Sequence, residues 1–197
     1  KYAATSHLGR QTYASDPVYR EKSASGGSVT ALLSFLLSSG EIDGALVCRA
    51  VVNSEGKLRP EFFIAQTIDE LKSTQGSKYS AVFFSSQALP LIRDFNGRLA
   101  VVALPWDTTI LRRTLQNHPD LQERVKLIIT LFCNHNSEPI LTDKIIDRIR
   151  PNDKPLVEYQ YKMGHWRGML QARFEDNVIV TKPYTFFSDY QNLFFFS

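Results

Sequence analysis

One short segment of the sequence carries residue types suited to holding a phosphate group. Ser25-Gly26-Gly27 runs directly into an apolar stretch that predicts a helix beginning at Ser28. A helix start leaves backbone N–H groups without intrahelical partners, and residues without Cβ atoms let an anion approach the backbone. The segment therefore predicts a phosphate cradle for a nucleotide or dinucleotide, with Thr30 in its first helical turn. The alternative is an ordinary helix-capping turn.

A second segment, Gln75-Gly76-Ser77-Lys78-Tyr79, places a cation and an aromatic ring in a glycine-containing loop. Lys78 can neutralise a phosphate, and Tyr79 can stack on a planar ring. We assign Ser77, Lys78 and Tyr79 to the same predicted binding site as the glycine turn. The alternative for Lys78 is a solvated surface lysine.

Two predicted strand ends supply the remaining site residues. Leu104-Pro105-Trp106-Asp107 ends one strand and Phe132-Cys133 ends the next. Because ligands in open α/β sheets bind beyond the carboxyl ends of strands, we expect Trp106 and Cys133 near the planar part of the ligand. For Trp106, filling space by packing is slightly favoured over stacking on a ring. Asp107 is predicted to be the N-cap of the following helix rather than an acid or base.

The chain has two cysteines, which are too few for a disulfide framework or for a site of four thiolates. Cys48 is predicted to lie in the core. Cys133 and His135 could form a nucleophile and base pair, but a packed thiol is the favoured interpretation. His165-Trp166-Arg167 could contribute a cation to a phosphate or could be a packed hairpin tip.

The elements that must position these residues alternate between helices and strands, which predicts an α/β fold with a mostly parallel or mixed sheet and flanking helices. Predicted helices cover 28–38, 86–94, 108–115 and 140–150, and a further helix is predicted to start at 67. Predicted strands cover 42–52, 60–66, 98–103, 125–132, 156–162, 169–175 and 177–181. The last three strands predict a C-terminal antiparallel extension with a turn at Asp176-Asn177.

A length of 197 residues with 43% apolar residues can bury one core, so we predict a single domain over 1–197. Within it, 1–22 is an N-terminal wrap, 23–150 the α/β core, and 151–197 the extension with an aromatic tail. The net charge of +3 is scattered, which argues against a nucleic-acid partner. No apolar run approaches the roughly 20 residues of a membrane span, and we expect a cytoplasmic protein.

The sequence resembles the coenzyme F420 hydrogenase/dehydrogenase beta-subunit family over most of its length, as a divergent or truncated member. The resemblance rests on Ser25-Gly26-Gly27 with Thr30-Ala31-Leu32, Asp43-Gly44, Gly76-Ser77-Lys78-Tyr79, Leu104-Pro105, Leu131-Phe132-Cys133, and Trp166 with Gly168. It implies an oxidoreductase fold that binds FAD, with flavin-phosphate contacts at Ser25, Gly26, Gly27 and Thr30. It also implies iron-sulfur clusters that feed electrons toward a two-electron acceptor.

The sequence departs from the family pattern at the cluster site. Family members carry a cysteine at the position of Trp106, and only Cys133 stands at a matching ligand position here. A tetranuclear cluster needs four soft ligands, so we expect no iron-sulfur cluster to be held by this chain alone. The alternatives to a flavin oxidoreductase are a non-catalytic binding or assembly module, which would dock a partner subunit through the aromatic segment 184–196, and a transferase acting on a nucleotide-linked substrate.

Overall fold

The computed structural model describes residues 9–133, 136–163 and 168–186. Its strands are β1 (Gly44–Val52), β2 (Leu58–Ala65), β3 (Leu99–Ala103), β4 (Val125–Thr130), β5 (Leu156–Met163), β6 (Met169–Phe174) and β7 (Ile179–Pro183). Its helices are α1 (Pro17–Arg20), α2 (Ser28–Ser38), α3 (Ile68–Ser73), α4 (Phe84–Asp94), α5 (Pro105–Asn117), α6 (Pro119–Arg124) and α7 (Pro139–Ile149).

The first sheet is mixed and has the strand order β2-β1-β3-β4. β1 and β2 form an antiparallel hairpin, whereas β3 runs parallel to both of its neighbours, β1 and β4. The carboxyl ends of β3 and β4 therefore lie at one edge of the sheet. This arrangement confirms the predicted α/β fold with a mixed sheet.

Alternation of side chains along β1 gives the first sheet two buried faces. Leu46 packs with residues of α4, α5 and α6 on one face, including Ile92 and Leu111. Ala45 and Val47 pack on the opposite face with residues of α2 and α3. Successive strand residues point to opposite faces, so an apolar run of this kind is what a strand covered on both sides requires.

The second sheet is antiparallel, with the order β5-β6-β7, and confirms the predicted C-terminal extension. Its core contains residues of α7 together with Phe174 of β6 and Leu58 of β2, so the two sheets share buried contacts. The turn between β6 and β7 has Asp176 and Asn177 at φ near 56°. Aspartate and asparagine tolerate this left-handed conformation better than most residues, which is why the predicted turn forms there.

Several element boundaries differ from the sequence-based predictions. Helix α5 begins at Pro105, three residues before the predicted Thr108, because proline is well suited to the first helical position, where its missing N–H is not needed. The same proline signal starts α6 at Pro119 and α1 at Pro17, two short helices that were not predicted. No helix within the described ranges is both long and apolar enough to cross a bilayer.

Candidate functional site

A cavity of about 490 Å³ lies at the carboxyl edge of the first sheet, a size typical of a small-molecule site. Its walls come from the loop leading into α2, the loop after α3, β1, β3 and the start of α5. Residues that line it include Ser25, Gly26, Gly27, Ser28, Thr30, Cys48, Thr74, Gln75, Ser77, Lys78, Ser80, Val102, Ala103, Trp106, Asp107, Leu131 and Asn136. The fold thus brings the first glycine loop, the lysine loop and the end of β3 to one cavity.

The N-terminus of α2 forms one wall. Gly27 is its N-cap, no side chain caps the helix, and its first turn contains no acidic residue. Its first intrahelical hydrogen bond is donated by the Ala31 N–H to the Gly27 carbonyl, at 3.0 Å. The N–H groups of Ser28 and Thr30 come before this bond in the helix. Both residues line the cavity, so the positive end of the helix dipole lies at the cavity wall.

Gly26 and Gly27 have a packing role that the sequence did not indicate. A Cβ on Gly27, whose φ is +72°, would lie 2.1 Å from the Tyr19 carbonyl oxygen. A Cβ on Gly26 would lie 2.9 Å from the Thr12 carbonyl oxygen. The Ala14 N–H also donates to the Gly26 carbonyl at 2.7 Å. The N-terminal segment 12–19 therefore packs against the backbone of the predicted phosphate-binding turn.

Lys78 lies in the second loop and donates from Nζ to the Thr74 carbonyl, to the Gln75 carbonyl at 3.2 Å and to the Gly76 carbonyl at 3.0 Å. Its ammonium group therefore sits over the carbonyl end of α3, where a cation is favoured. Burial lowers the pKa of Lys78 to about 8. The lysine keeps its proton at neutral pH and supplies a positive charge to this part of the cavity.

Trp106 and Asp107 lie where α5 begins beyond β3. Trp106 is half-exposed at 49%, whereas Asp107 is 4% exposed. The prediction that Asp107 is the N-cap of the helix is wrong, since the N-cap is Leu104 and Asp107 stands in the first helical turn. Burial raises the pKa of the Asp107 carboxyl to about 6, although a hydrogen bond with the Leu104 backbone opposes that rise.

Two of the predicted site residues, Tyr79 and Cys133, lie outside the cavity lining. The Tyr79 ring packs edge-on against Tyr161, with 5.9 Å between centroids, and its carbonyl accepts a hydrogen bond of 2.5 Å from Ser137. Cys133 is half-buried just after β4. The pairing of Cys133 with His135 falls outside the described residues, as do 165–167 and the aromatic segment from residue 187 onward.

The cavity also contains functional groups that the sequence did not assign to it. Cys48, predicted to lie in the core, is half-buried and lines the cavity, and burial raises the pKa of its thiol to about 11. Asn136 lines it from the loop after β4. Cys48 reaches the cavity because its strand, β1, pairs in parallel with β3 and runs to the same sheet edge as the carboxyl end of β3. In the described part of the chain, no group of three His, Cys, Asp or Glu side chains could hold a metal ion.

Comparison with known proteins identifies a family and individual relatives. Two family models match, for the N-terminal and the C-terminal parts of the coenzyme F420 hydrogenase/dehydrogenase beta subunit, over residues 11–89 and 96–192 respectively. Coenzyme F420 hydrogenase subunit beta of Methanothermobacter thermautotrophicus is 36% identical over 121 residues, covering 56% of this chain and 40% of that protein. An uncharacterized protein of Methanocaldococcus jannaschii is 30% identical over 114 residues, covering 55% of this chain and 31% of that protein.

A chain from the F420-reducing NiFe hydrogenase complex of Methanosarcina barkeri has a similar fold. Its TM-score is 0.63 at 20% sequence identity, and the alignment covers 90% of this chain and 60% of that chain. The matched region spans less than half the length of the two curated relatives. Since the two family models together match most of the sequence, the chain belongs to the coenzyme F420 hydrogenase/dehydrogenase beta-subunit family of oxidoreductase subunits.

Proposed function

We propose that this chain binds FAD in the cavity and serves as the flavin-carrying part of an oxidoreductase. The observation that carries the proposal is the polarity of the cavity. Its lining combines the uncapped N-terminus of α2 and the ammonium group of Lys78 with Trp106 and the apolar side chain of Leu131. A flavin nucleotide has the matching polarity, with phosphates at one end and a planar ring at the other.

The two helix starts at this edge of the sheet differ in a way that assigns the phosphates to α2. Helix α5 begins with Pro105, which has no N–H, and carries Asp107 in its first turn. A proline and a carboxylate both weaken a helix start as an anion site. Helix α2 has neither feature. The phosphates are therefore proposed at Ser25, Gly26, Gly27 and Thr30, with the flavin ring toward Trp106.

The bound flavin would supply the two-electron chemistry, and the protein would orient the ring and exclude water. The two cysteines of this sequence cannot provide four thiolates, so we propose that a redox partner outside this sequence delivers electrons to the flavin. The family membership and the hydrogenase complex found among the structural neighbours support a partner of this kind. Ser77 and Lys78 are proposed to line the phosphate side, whereas Tyr79 and Cys133 lie outside the lining of the proposed site.

The first test is the visible absorbance of freshly purified protein, followed by heat release of any bound small molecule and its identification by mass. Flavin absorbance and a released mass equal to that of FAD are the expected results. A colourless protein that takes up no added FAD contradicts the proposal and favours a non-catalytic binding or assembly module.

A carboxylate introduced at Thr30 should weaken FAD binding while stabilising the helix. In Thr30→Glu, the new charge at the N-terminus of α2 repels the phosphates, so we expect at least about a tenfold loss of affinity, or 1.4 kcal/mol. The same charge interacts favourably with the helix dipole, adding about 0.3–1 kcal/mol to the free energy of unfolding. Affinity is measured by FAD fluorescence and stability by denaturant unfolding.

Thr30→Gln is the matched control, because glutamine has nearly the same size as glutamate and can also accept a hydrogen bond at this helical position. Its affinity for FAD should remain within about threefold of the wild type, well short of the tenfold step that corresponds to 1.4 kcal/mol. Equal affinities of the glutamate and glutamine variants would place the phosphates away from α2.

A further inference from the structure

Asp107 is a buried carboxyl group that faces the cavity. It is 4% exposed, lines the cavity beside Trp106, and stands at the carboxyl end of β3. The hydroxyl group of the neighbouring residue Thr108 is hydrogen-bonded to the Thr130 hydroxyl group, at 2.9 Å. A carboxyl group in this setting has lost most of its water and depends on its few protein neighbours for stabilisation.

The titratable side chains that line the cavity with Asp107 do not neutralise the charge of its carboxylate. Cys48 and Lys78 are the other titratable side chains of the described residues that line the cavity. The Cys48 thiol is neutral at physiological pH, because burial raises its pKa to about 11. The Lys78 ammonium directs its hydrogen bonds to three backbone carbonyls. Within the described part of the chain, Asp107 has no ion-pair partner.

Two effects favour the ionised form of Asp107, and one opposes it. The positive end of α5 and the hydrogen bond with the Leu104 backbone stabilise the carboxylate. Burial favours the neutral acid and outweighs them, because the pKa of Asp107 rises to about 6 from an ordinary value of 3.8. In the free protein the group is therefore ionised at pH 7 but close to the point at which it takes up a proton.

An anionic ligand in the same cavity shifts that balance further. A second negative charge in a poorly solvated space repels the carboxylate and favours its protonated form. By thermodynamic linkage, the protonated protein then binds the anion more tightly than the ionised protein does. A neutral carboxylic acid can also donate a hydrogen bond to an acceptor on a ligand, as occurs where an apolar site keeps such a group protonated.

We propose that Asp107 is a carboxylic acid when FAD occupies the cavity, that FAD binding takes up one proton at this side chain, and that its O–H donates a hydrogen bond to the ligand. This inference rests on the proposed function, since it assumes that FAD binds here. It assigns Asp107 a positioning role on the ring side of the cavity, opposite the phosphate side at α2. No electron or bond transfer is involved, and the proton comes from solvent.

The test is a titration of wild-type protein with FAD at pH 5, 6 and 7, followed by fluorescence. Affinity should fall by up to about tenfold from pH 5 to pH 7, because one proton must be taken up when the free carboxyl is ionised. Lys78, with a pKa of about 8, stays largely protonated over this range and contributes little to the change. In Asp107→Asn the amide is neutral at every pH, so affinity should stay near the pH 5 wild-type value and vary less than about twofold.

A second measurement needs no variant. Calorimetric binding enthalpies in two buffers of different ionisation enthalpy, at pH 7, give the number of protons taken up by wild-type protein, and we expect a value approaching one. Affinity that rises with pH, binding without proton uptake, or an unchanged pH slope in Asp107→Asn overturns the inference while leaving FAD binding intact. Absence of FAD binding at every pH overturns the proposed function itself, and the inference with it.

Discussion

Replacing Gly27 with alanine should lower the free energy of unfolding by about 2–5 kcal/mol, from about 1–2 kcal/mol of left-handed backbone strain and about 1–3 kcal/mol of overpacking. The new Cβ would lie 2.1 Å from the Tyr19 carbonyl oxygen and 2.7 Å from its carbon. Both are backbone atoms and cannot rotate away. The segment containing α1 must therefore move, and the cradle loses its support.

Gly40→Ala is the matched control for this substitution. Gly40 stands just after the other end of α2 and has a similar φ of +68°, but a Cβ there meets nothing within 4 Å. It should therefore cost only the backbone strain, about 1–2 kcal/mol. Denaturant unfolding of both variants measures the difference. If Gly27→Ala is no less stable than Gly40→Ala, the contact between the cradle and Tyr19 does not hold in solution.

The fold could largely be predicted from the sequence because its signals are local. The apolar run in β1 and the helical pattern of α2 both depend on burial at a regular spacing, and both elements form close to the expected bounds. The positions of α1 and α6 depended on a single proline each, a signal too short to separate from a turn. The antiparallel extension followed from its turn at Asp176-Asn177.

From the sequence alone, a site residue could be placed at the sheet edge only where it comes just after a strand. The glycine turn, Lys78 and Trp106 line one cavity, but only Trp106 comes just after a parallel strand, where ligands bind in open α/β sheets. The sequence could not show that the partner of Gly27 is Tyr19, a contact with another segment. Nor could it show that the Tyr79 ring turns toward Tyr161, because adjacent residues of a loop can face opposite ways.

Replacing Phe174 with alanine should lower the free energy of unfolding by about 3–5 kcal/mol. The ring is fully buried in the core that joins the second sheet to α7, and the Arg150 guanidinium lies 5.9 Å from its centroid. Truncation removes apolar contacts and leaves a cavity that the surrounding strands cannot close. Phe83→Ala is the control, because Phe83 is 77% exposed and its loss should change stability by no more than about 0.5 kcal/mol.

The form of the unfolding curve tests the predicted single domain. Arg59 of β2 makes two hydrogen bonds of 2.8 Å to Asp143 of α7, and Leu58 is buried in the same core as Phe174. Damage in the second sheet should therefore propagate to the first, so Phe174→Ala should unfold in one transition that far-ultraviolet circular dichroism and tryptophan fluorescence report at the same midpoint.

A second transition at the wild-type midpoint would mean that the two sheets unfold independently.

A single transition has a consequence for the site as well. Tyr79 follows Lys78 directly and packs against the core that contains Phe174. Loosening that core should therefore weaken the packing that holds Tyr79 beside Lys78. FAD affinity should then fall in Phe174→Ala, although the Phe174 ring lies outside the cavity lining.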